Sequence, residues 1–474
     1  MDKIKTTHVG SLPRSNELSD LLFKKDKKEE IDVRNFDEIV KRDVKKIVKK
    51  QINLGIDFIS DGEMSKISYA TYVKDRIDGF SGESERKAPQ DLDDFPSFKE
   101  RIARSGGTPT YTRPCCTHEL KIKDALSLTK DINNFDEIVK RDVKKIVEKQ
   151  INLGIDFISD GEMSKISYAT YVKDRIDGFS GESERKAPQD LDDFPSFKER
   201  IARSGGTPTY TRPCCTHELK IKDTLSLTKD INNFKSALEE NNHKQAFMNA
   251  ASPGVISAFL PNKFYKDDDE YLDALSNIMA TEYEEIVSND INLQLDCPDL
   301  ALARHMTFKD LSEVEFLKRA EKQIEYLNHS IKKIPSSKIR MHICWGNYEG
   351  PHSHDISLEK ILPLILKANV GTYLLESSNP RHSHEWQAFE NIKVPKDKII
   401  APGVIDSTTN FIEHPEVVKN RLVQFSKVID REQLMAGTDC GFSTFAGFGN
   451  VDENIVYKKL ESLVIGTELA SKVI

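Results

Sequence analysis

The chain has 474 residues, of which 38% are hydrophobic and 31% charged, and its formal net charge at pH 7 is −8. This is the composition of a globular protein with enough apolar residues for one large domain or two to three small ones. A negative chain without a basic stripe is not expected to bind nucleic acid. The sequence has no run of 18 apolar residues and no apolar signal segment at its amino terminus, so we expect a cytoplasmic protein that does not bind membranes.

A long segment occurs twice in the first half of the chain. Residues 36–134 recur as residues 135–233, and the copies differ at two positions, Lys49/Glu148 and Ala125/Thr224. Solenoid repeats are shorter and diverge between units, so this is either a recent tandem duplication of an early segment or an error of sequence assembly. Removing one copy leaves 375 residues (474 − 99), the size of one large domain. We therefore predict a single domain in which one copy is surplus.

Strand and helix patterns alternate along the rest of the chain. Counting one copy of the repeat, the sequence predicts eight strands, at Thr6–Leu12, Phe58–Glu63, Gln245–Ala251, Asn292–Cys297, Arg340–Cys344, Tyr373–Glu376, Ile399–Val404 and Leu434–Cys440. Helical patterns lie between most of them, and a last one follows the eighth strand. Eight such units predict an α/β fold, a TIM (β/α)8 barrel over residues 1–474. No glycine-rich dinucleotide motif follows a strand, which argues against an open doubly wound sheet.

The predicted strand ends bring metal-binding side chains together. Functional residues of TIM barrels lie at the carboxyl ends of the strands. His342 and Cys344 share one face of the fifth strand, Glu376 ends the sixth strand and Cys440 ends the eighth. An imidazole, two thiols and a carboxylate are typical ligands of tetrahedral zinc. We therefore predict a Zn²⁺ site at these four residues.

The predicted donor set favours one kind of reaction. Zinc held largely by thiolates is a poor generator of hydroxide, because the thiolates already donate charge to the metal. It is well suited to binding a substrate thiol and lowering the pKa of that thiol. The reaction class implied is alkyl transfer to sulfur.

Six short segments carry a family resemblance. They are Thr7–Arg14, Ser60–Glu63, Leu295–Pro298, His342–Cys344, Leu375–Ser377 and Asp439–Gly441. In this order they resemble the catalytic barrel of cobalamin-independent methionine synthase. Each segment alone is unspecific, but the ordered set is specific and spans nearly everything outside one copy of the repeat.

The resemblance implies a barrel of the methionine synthase/uroporphyrinogen decarboxylase-like type, with zinc at the four residues named above. It implies an enzyme that methylates the thiol of homocysteine to form methionine. It also implies that the backbone of Val9 to Ser11 holds the carboxylate of homocysteine, while Glu63 or its duplicate Glu162 accepts the ammonium together with Asp296. Two carboxylates suit one ammonium group, because each adds a charge-assisted hydrogen bond.

The methyl donor stays open, as either a 5-methyltetrahydropteroyl compound or a corrinoid. Family members that use a polyglutamylated folate carry a second barrel and a histidine shortly after the aspartate of the seventh strand. In this chain Thr408 stands at that position, after Asp406. Asp406 is either a catalytic proton relay or a cap of the next helix. Two alternatives remain, which are alkylation of coenzyme M, as in the single-barrel epoxyalkane:coenzyme M transferase, and an inactive zinc-binding product of the duplication.

Two pairs of histidines have simpler interpretations. His352 and His354 follow the predicted zinc strand, and we expect them in a solvated loop. His382 and His384 lie near Trp386 and are interpreted as helix-entry or donor-pocket residues without chemistry.

Overall fold

The computed structural model describes residues 15–26, 32–53, 135–183, 188–203, 212–241, 245–443 and 451–474. The chain divides into two compact units, Met1–Lys121 and Ile122–Ile474. The predicted strands at Thr6–Leu12 and Phe58–Glu63 lie outside the described residues.

Two helices are described in the first unit, α1 (Asn16–Asp26) and α2 (Val33–Asn53). Leu22 of α1 and Phe36 of α2 belong to one small buried cluster. Helix α2 belongs partly to the first copy of the repeat, which begins at Phe36. Its amphipathic pattern produces a single buried face, as expected for a helix with apolar residues at helical spacing.

The second unit contains a parallel sheet. Its strands in chain order are β1 (Phe157–Ser159), β2 (Ile176–Ser180), β3 (Cys214–Ile221), β4 (Gln245–Ala251), β5 (Asn292–Asp296), β6 (Ile339–Ile343), β7 (Thr372–Leu375), β8 (Ile399–Ile405) and β9 (Gly437–Thr438). Seven of them form one sheet in the order β1-β4-β5-β6-β7-β8-β9, while β2 and β3 form a separate antiparallel pair. Every neighbouring pair in the larger sheet is parallel.

Helices alternate with these strands. They are α3 (Phe135–Asn152), α4 (Val172–Arg175), α5 (Gln189–Asp192), α6 (Pro195–Arg203), α7 (Leu225–Glu239), α8 (Pro253–Phe259), α9 (Asp268–Ser288), α10 (Glu313–Ser330), α11 (Leu358–Ile365), α12 (Pro415–Phe425) and α13 (Glu453–Ser471). Parallel neighbours require a crossover connection, and here helices provide it. This alternation confirms the predicted α/β class.

The observed strands follow the predicted ones closely where they are buried on both faces. All four residues of β7 and all five of β5 are buried, and such strands read as continuous apolar runs in the sequence. Strand β4 has the predicted bounds, Gln245–Ala251. The predicted strand Leu434–Cys440 is too long, because only Gly437–Thr438 pair as β9.

The described part of the sheet includes the second copy of the repeat. Strand β1 pairs with β4 in the register Phe157 to Gln245 and Ser159 to Phe247. Helix α3 of the same copy buries Val143 and Val147 in the main hydrophobic cluster of the unit. Both elements that open the second copy therefore belong to the core of this unit.

Among the helices that the structure describes, none combines the length and the apolar character needed to cross a membrane.

Candidate active site

The site is built from residues at the carboxyl ends of four strands. Asp296 ends β5 and lies beside His342 of β6 in the sheet register. Cys344 follows β6 and Glu376 follows β7, while Cys440 comes two residues after β9. Because parallel strands end at the same edge of a sheet, residues distant in sequence meet there.

The predicted metal ligands converge. The sulfur atoms of Cys344 and Cys440 are 3.3 Å apart, and Cys440 Sγ lies 3.4 Å from Glu376 Oε1. Ligand atoms of His342, Cys344 and Cys440 all lie within 4.8 Å of one another. A disulfide would bring the sulfurs to about 2.05 Å, so the two cysteines are free thiols at contact distance.

The donor set fits a soft metal ion. Cys344, Glu376 and Cys440 are all buried. The neighbouring Cys344 thiol, burial and Glu376 raise the pKa of Cys440, because a second negative charge is unfavourable here. Two thiolates and a carboxylate would thus be ionised together only if a cation balanced them. An imidazole nitrogen and two sulfurs are ligands that zinc accepts.

The imidazole of His342 is held from both sides. Its Nδ1 atom lies 3.1 Å from Asp296 Oδ1 and its Nε2 atom lies 3.0 Å from the backbone oxygen of Asp439. Contacts of this kind orient a metal-binding imidazole and select its tautomer.

Glu376 is also held in place by neighbours that sequence reasoning missed. Its Oε1 atom accepts a hydrogen bond from the backbone N–H of Trp345 at 2.7 Å. Its Oε2 atom accepts one from the Asn379 side chain at 3.0 Å. The carboxylate therefore has a defined orientation toward Cys440.

Asp439 is a second residue whose role the sequence did not indicate. Its buried carboxylate accepts backbone N–H groups of Ser377 at 2.9 Å, Ser378 at 2.8 Å and Asn379 at 3.0 Å. It thereby ties the loop after β7 to the segment that carries Cys440. Gly403 makes this possible, because a Cβ atom there would lie 2.6 Å from Asp439 Cα. The only signal for Asp439 in the sequence was its position beside Cys440.

The predicted ammonium-binding carboxylates lie at the same edge of the sheet. Asp296 Oδ2 accepts a hydrogen bond from the Asn249 side chain at 3.0 Å. Glu162 follows β1 in a tight turn, with φ of 54° and its backbone N–H bonded to Asp160 Oδ1 at 3.0 Å. A positive φ is uncommon for residues other than glycine and often marks a functional site.

Glu162 has a buried cation beside it. Lys165 Nζ lies 3.1 Å from Glu162 Oε1 and donates to the backbone oxygen of Asn249 at 2.6 Å. Burial raises the pKa of Glu162 to about 7, with a further contribution from Asp296, while Lys165 opposes the shift. Lys165 thus favours the ionised form of this carboxylate, a role that sequence reasoning missed.

One cavity of about 1640 Å³ connects these groups. Its lining includes three of the four predicted metal ligands, His342, Cys344 and Cys440, and the predicted ammonium acceptors Glu162 and Asp296. The thiols and the carboxylates therefore face the same cavity.

The remaining predicted site residues are Val9, Ser11, Glu63 and Asp406. The first three lie outside the described residues. The Asp406 carboxylate accepts the backbone N–H and the hydroxyl of Thr408, both at 2.8 Å, and the hydroxyl of Thr409 at 2.6 Å. These contacts form a turn in the loop after β8. The N-cap of the next helix, α12, is His414, so Asp406 does not cap that helix, and its role as a proton relay stays a prediction.

The expectation of a solvated loop after β6 is wrong in part. His352 is buried, whereas the side chain of His354 is 33% exposed and pairs with Asp193 at 2.6 Å. Trp345 is also fully buried, with its indole N–H donating to the backbone oxygen of Ile356. The loop packs as part of the core because its aromatic rings and imidazoles find partners there.

A family model described as the catalytic domain of cobalamin-independent synthase matches residues 4–106 and 255–452 of the chain. The chain belongs to this family. It is accordingly a methyltransferase of the cobalamin-independent methionine synthase type. The first part of the match covers residues 36–106 of the first copy of the repeat, but the copies are nearly identical, so the match does not choose between them.

Two relatives are named methionine synthase. The protein of Pyrococcus horikoshii is 22% identical over 340 residues, which is 72% of this chain and 84% of the relative. The protein of Sulfolobus acidocaldarius is 25% identical over 337 residues, or 70% of this chain and 82% of the relative.

A solved structure shows the same fold. It is a B12-independent methionine synthase from Shewanella sp. W3-18-1 in complex with selenomethionine. The TM-score is 0.54 at 18% identity, over 73% of this chain and 89% of the other. This likeness confirms the predicted α/β barrel.

Proposed function

We propose that this methyltransferase transfers a methyl group to the thiol of homocysteine and forms methionine. The observation that carries the proposal is the single cavity shared by the thiol-rich cluster and the carboxylates of Glu162 and Asp296. Homocysteine carries a thiol at one end and an ammonium group at the other, so it matches both halves of this lining. The methionine synthase names of the relatives and the selenomethionine bound by the Shewanella enzyme support the same substrate class.

In this proposal Zn²⁺ is held by His342, Cys344, Glu376 and Cys440. When bound, zinc would ligate the substrate thiol, lower its pKa and keep it nucleophilic at neutral pH. Asp296 keeps the His342 imidazole oriented, and Asp439 holds the loop that carries Glu376. These residues preorganise the donor set before substrate arrives.

The remaining residues bind the amino-acid end of the substrate. Asp296 and Glu162 accept the ammonium group, each charge-assisted bond contributing about 1.5–3 kcal/mol. Lys165 favours the ionised form of Glu162, which can accept the ammonium group. From the family resemblance we further propose that the backbone of Val9 to Ser11 holds the substrate carboxylate.

In the reaction a bond forms between the substrate sulfur and the methyl carbon while the bond between the methyl carbon and the donor breaks. The electron pair of the broken bond stays with the leaving group.

We also propose that residues 1–474 form one catalytic barrel in which the second repeat copy supplies the second barrel strand. The pairing of β1 with β4 and the position of Glu162 on the cavity support this assignment. The first copy, residues 36–134, is then surplus.

The test uses the full-length, zinc-loaded protein. It is incubated with homocysteine and either a 5-methyltetrahydropteroyl compound or methylcobalamin, and methionine is measured by mass spectrometry. A separate reaction contains coenzyme M and an epoxide. We expect methionine with one of the two methyl donors. Absence of methionine with both donors overturns the proposal, and product only from coenzyme M supports the alkylation alternative.

A further inference from the structure

A second cluster of potential metal ligands lies apart from the thiol site, around Asp355. The carboxylate Oδ2 atom of Asp355 lies 2.8 Å from His352 Nδ1 and 2.8 Å from His382 Nε2. Ligand atoms of these three residues all lie within 4.8 Å of one another. His352 and Asp355 belong to the loop after β6, and His382 belongs to the loop after β7.

The far nitrogen of each imidazole faces a hydrogen-bond acceptor. His382 Nδ1 lies 2.7 Å from Glu385 Oε2, and His352 Nε2 lies 3.1 Å from the backbone oxygen of Tyr348. A carboxylate or a carbonyl in this position is the usual outer partner of a metal-binding histidine, because it holds the proton on the far nitrogen. The nitrogen that faces Asp355 then carries a lone pair.

Two lone pairs directed at one carboxylate oxygen are repulsive unless positive charge lies between them. The side chains are almost dry, with 1% exposure for Asp355, 2% for His382 and 9% for His352, so water does not screen this contact. Each of the two imidazoles has an acceptor at both ring nitrogens. The contact with Asp355 therefore needs positive charge, supplied either by a second proton on each ring or by one divalent cation.

A third histidine adds unsatisfied atoms to the cluster. His305 Nε2 lies 3.1 Å from Asp355 Oδ1, yet both atoms lack a hydrogen-bond partner of acceptable geometry among the residues that the structure describes. Buried polar atoms are rarely left in this state in a folded protein. A cation at Asp355 would provide the missing partner.

We propose that His352, Asp355 and His382 form a second metal site that takes a divalent transition-metal ion such as zinc. Two imidazoles and a carboxylate are a common donor set for such ions. The ion would join the loop after β6 to the loop after β7. Trp345, which contacts Glu376 through its backbone, packs on the His382 ring with centroids 4.6 Å apart, so the second site supports the loop beside the thiol cluster.

The experiment counts metal ions per chain in the full-length protein, after growth with zinc and dialysis against metal-free buffer. We expect two equivalents in the wild type and one in Asp355→Asn. The double variant Cys344→Ser/Cys440→Ser should retain one equivalent, held at Asp355. His354→Gln is the matched control, since it changes a partly exposed histidine of the same loop that is not among the proposed ligands, and this variant should retain two equivalents.

Cobalt provides a measurement that does not depend on any variant. Titration of metal-free wild-type protein with Co²⁺ should show two equivalents, only one of which produces a thiolate-to-cobalt charge-transfer band. Binding should also release protons from the imidazoles at the second site.

The outcomes separate this site from the thiol cluster. One equivalent in the wild type that disappears in Cys344→Ser/Cys440→Ser overturns the second site and leaves the proposed function intact. One equivalent that survives in that double variant and disappears in Asp355→Asn supports the second site and counts against the zinc of the proposed function.

Discussion

Asp296 Oδ1 lies 3.1 Å from His342 Nδ1, so the carboxylate proposed to bind the substrate ammonium also contacts a proposed metal ligand. One residue thus joins the two halves of the site. The Asp296→Asn variant keeps an oxygen for His342 but removes the charge that an ammonium requires. We expect kcat/KM for homocysteine to fall about 10- to 100-fold, since a charge-assisted hydrogen bond contributes about 1.5–3 kcal/mol. Turnover of 4-mercaptobutanoate, which lacks the ammonium, should change much less. An equal loss with both thiols would contradict the ammonium role.

The repeat offers a matched pair of variants. Glu162→Gln should raise KM for homocysteine about 10- to 100-fold, because Glu162 lines the cavity. Glu63→Gln makes the same change in the other copy and should leave KM unchanged. Steady-state measurement of KM for the two variants shows which copy supplies the glutamate of the active site. The reverse result would assign the active site to the first copy.

Deletion of the first copy also tests whether the second copy supplies the strand and the glutamate of the active site. The variant lacking residues 36–134 should retain methyl transfer, because Glu162 and the strand that carries it remain. Thermal unfolding and activity are measured beside the full-length protein. If the shortened protein is still expressed but shows neither a thermal unfolding transition nor methyl transfer, the first copy is required.

Lys165 should affect the affinity of the site for homocysteine through the charge of Glu162. Lys165→Met removes the cation that lies 3.1 Å from the Glu162 carboxylate, so a larger fraction of Glu162 becomes protonated. We expect KM for homocysteine to rise about tenfold, the effect of about 1.4 kcal/mol. Lys165→Arg keeps the charge and should restore most of the affinity. If Lys165→Arg is as impaired as Lys165→Met, packing rather than charge explains the loss.

Asp439 should affect the metal rather than the substrate. Asp439→Asn weakens the three backbone hydrogen bonds that position the loop carrying Glu376. Loss of an outer partner of this kind costs about 10- to 100-fold in metal affinity. Competition with a chelator measures the zinc dissociation constant, with Asp397→Asn as the control, since the Asp397 side chain is 68% exposed. An unchanged constant would mean that Asp439 does not position the donor set.

The buried parallel strands could be predicted because their apolar runs have few other interpretations. Strand β4 has the predicted bounds, and β5 to β8 deviate by one residue at most at either end. The last strand was overestimated, because Leu434 forms only an isolated bridge with Ile400 and continuous pairing is limited to Gly437–Thr438. The burial of His352 after β6 was misjudged for a related reason. Local sequence does not show that Asp355 lies within bonding distance of both His352 and His382.

His342, Cys344, Glu376 and Cys440 could be selected from the sequence, because parallel strands place their carboxyl ends at one edge and the ligand chemistry limits the residue types. The tertiary structure alone decided which neighbours hold them, since Asp439, Trp345 and Asn379 act through backbone groups and orientation. It also decided that β1 of the second repeat copy pairs with β4. Two nearly identical copies have the same local preferences, so only their contacts with the rest of the chain can distinguish them.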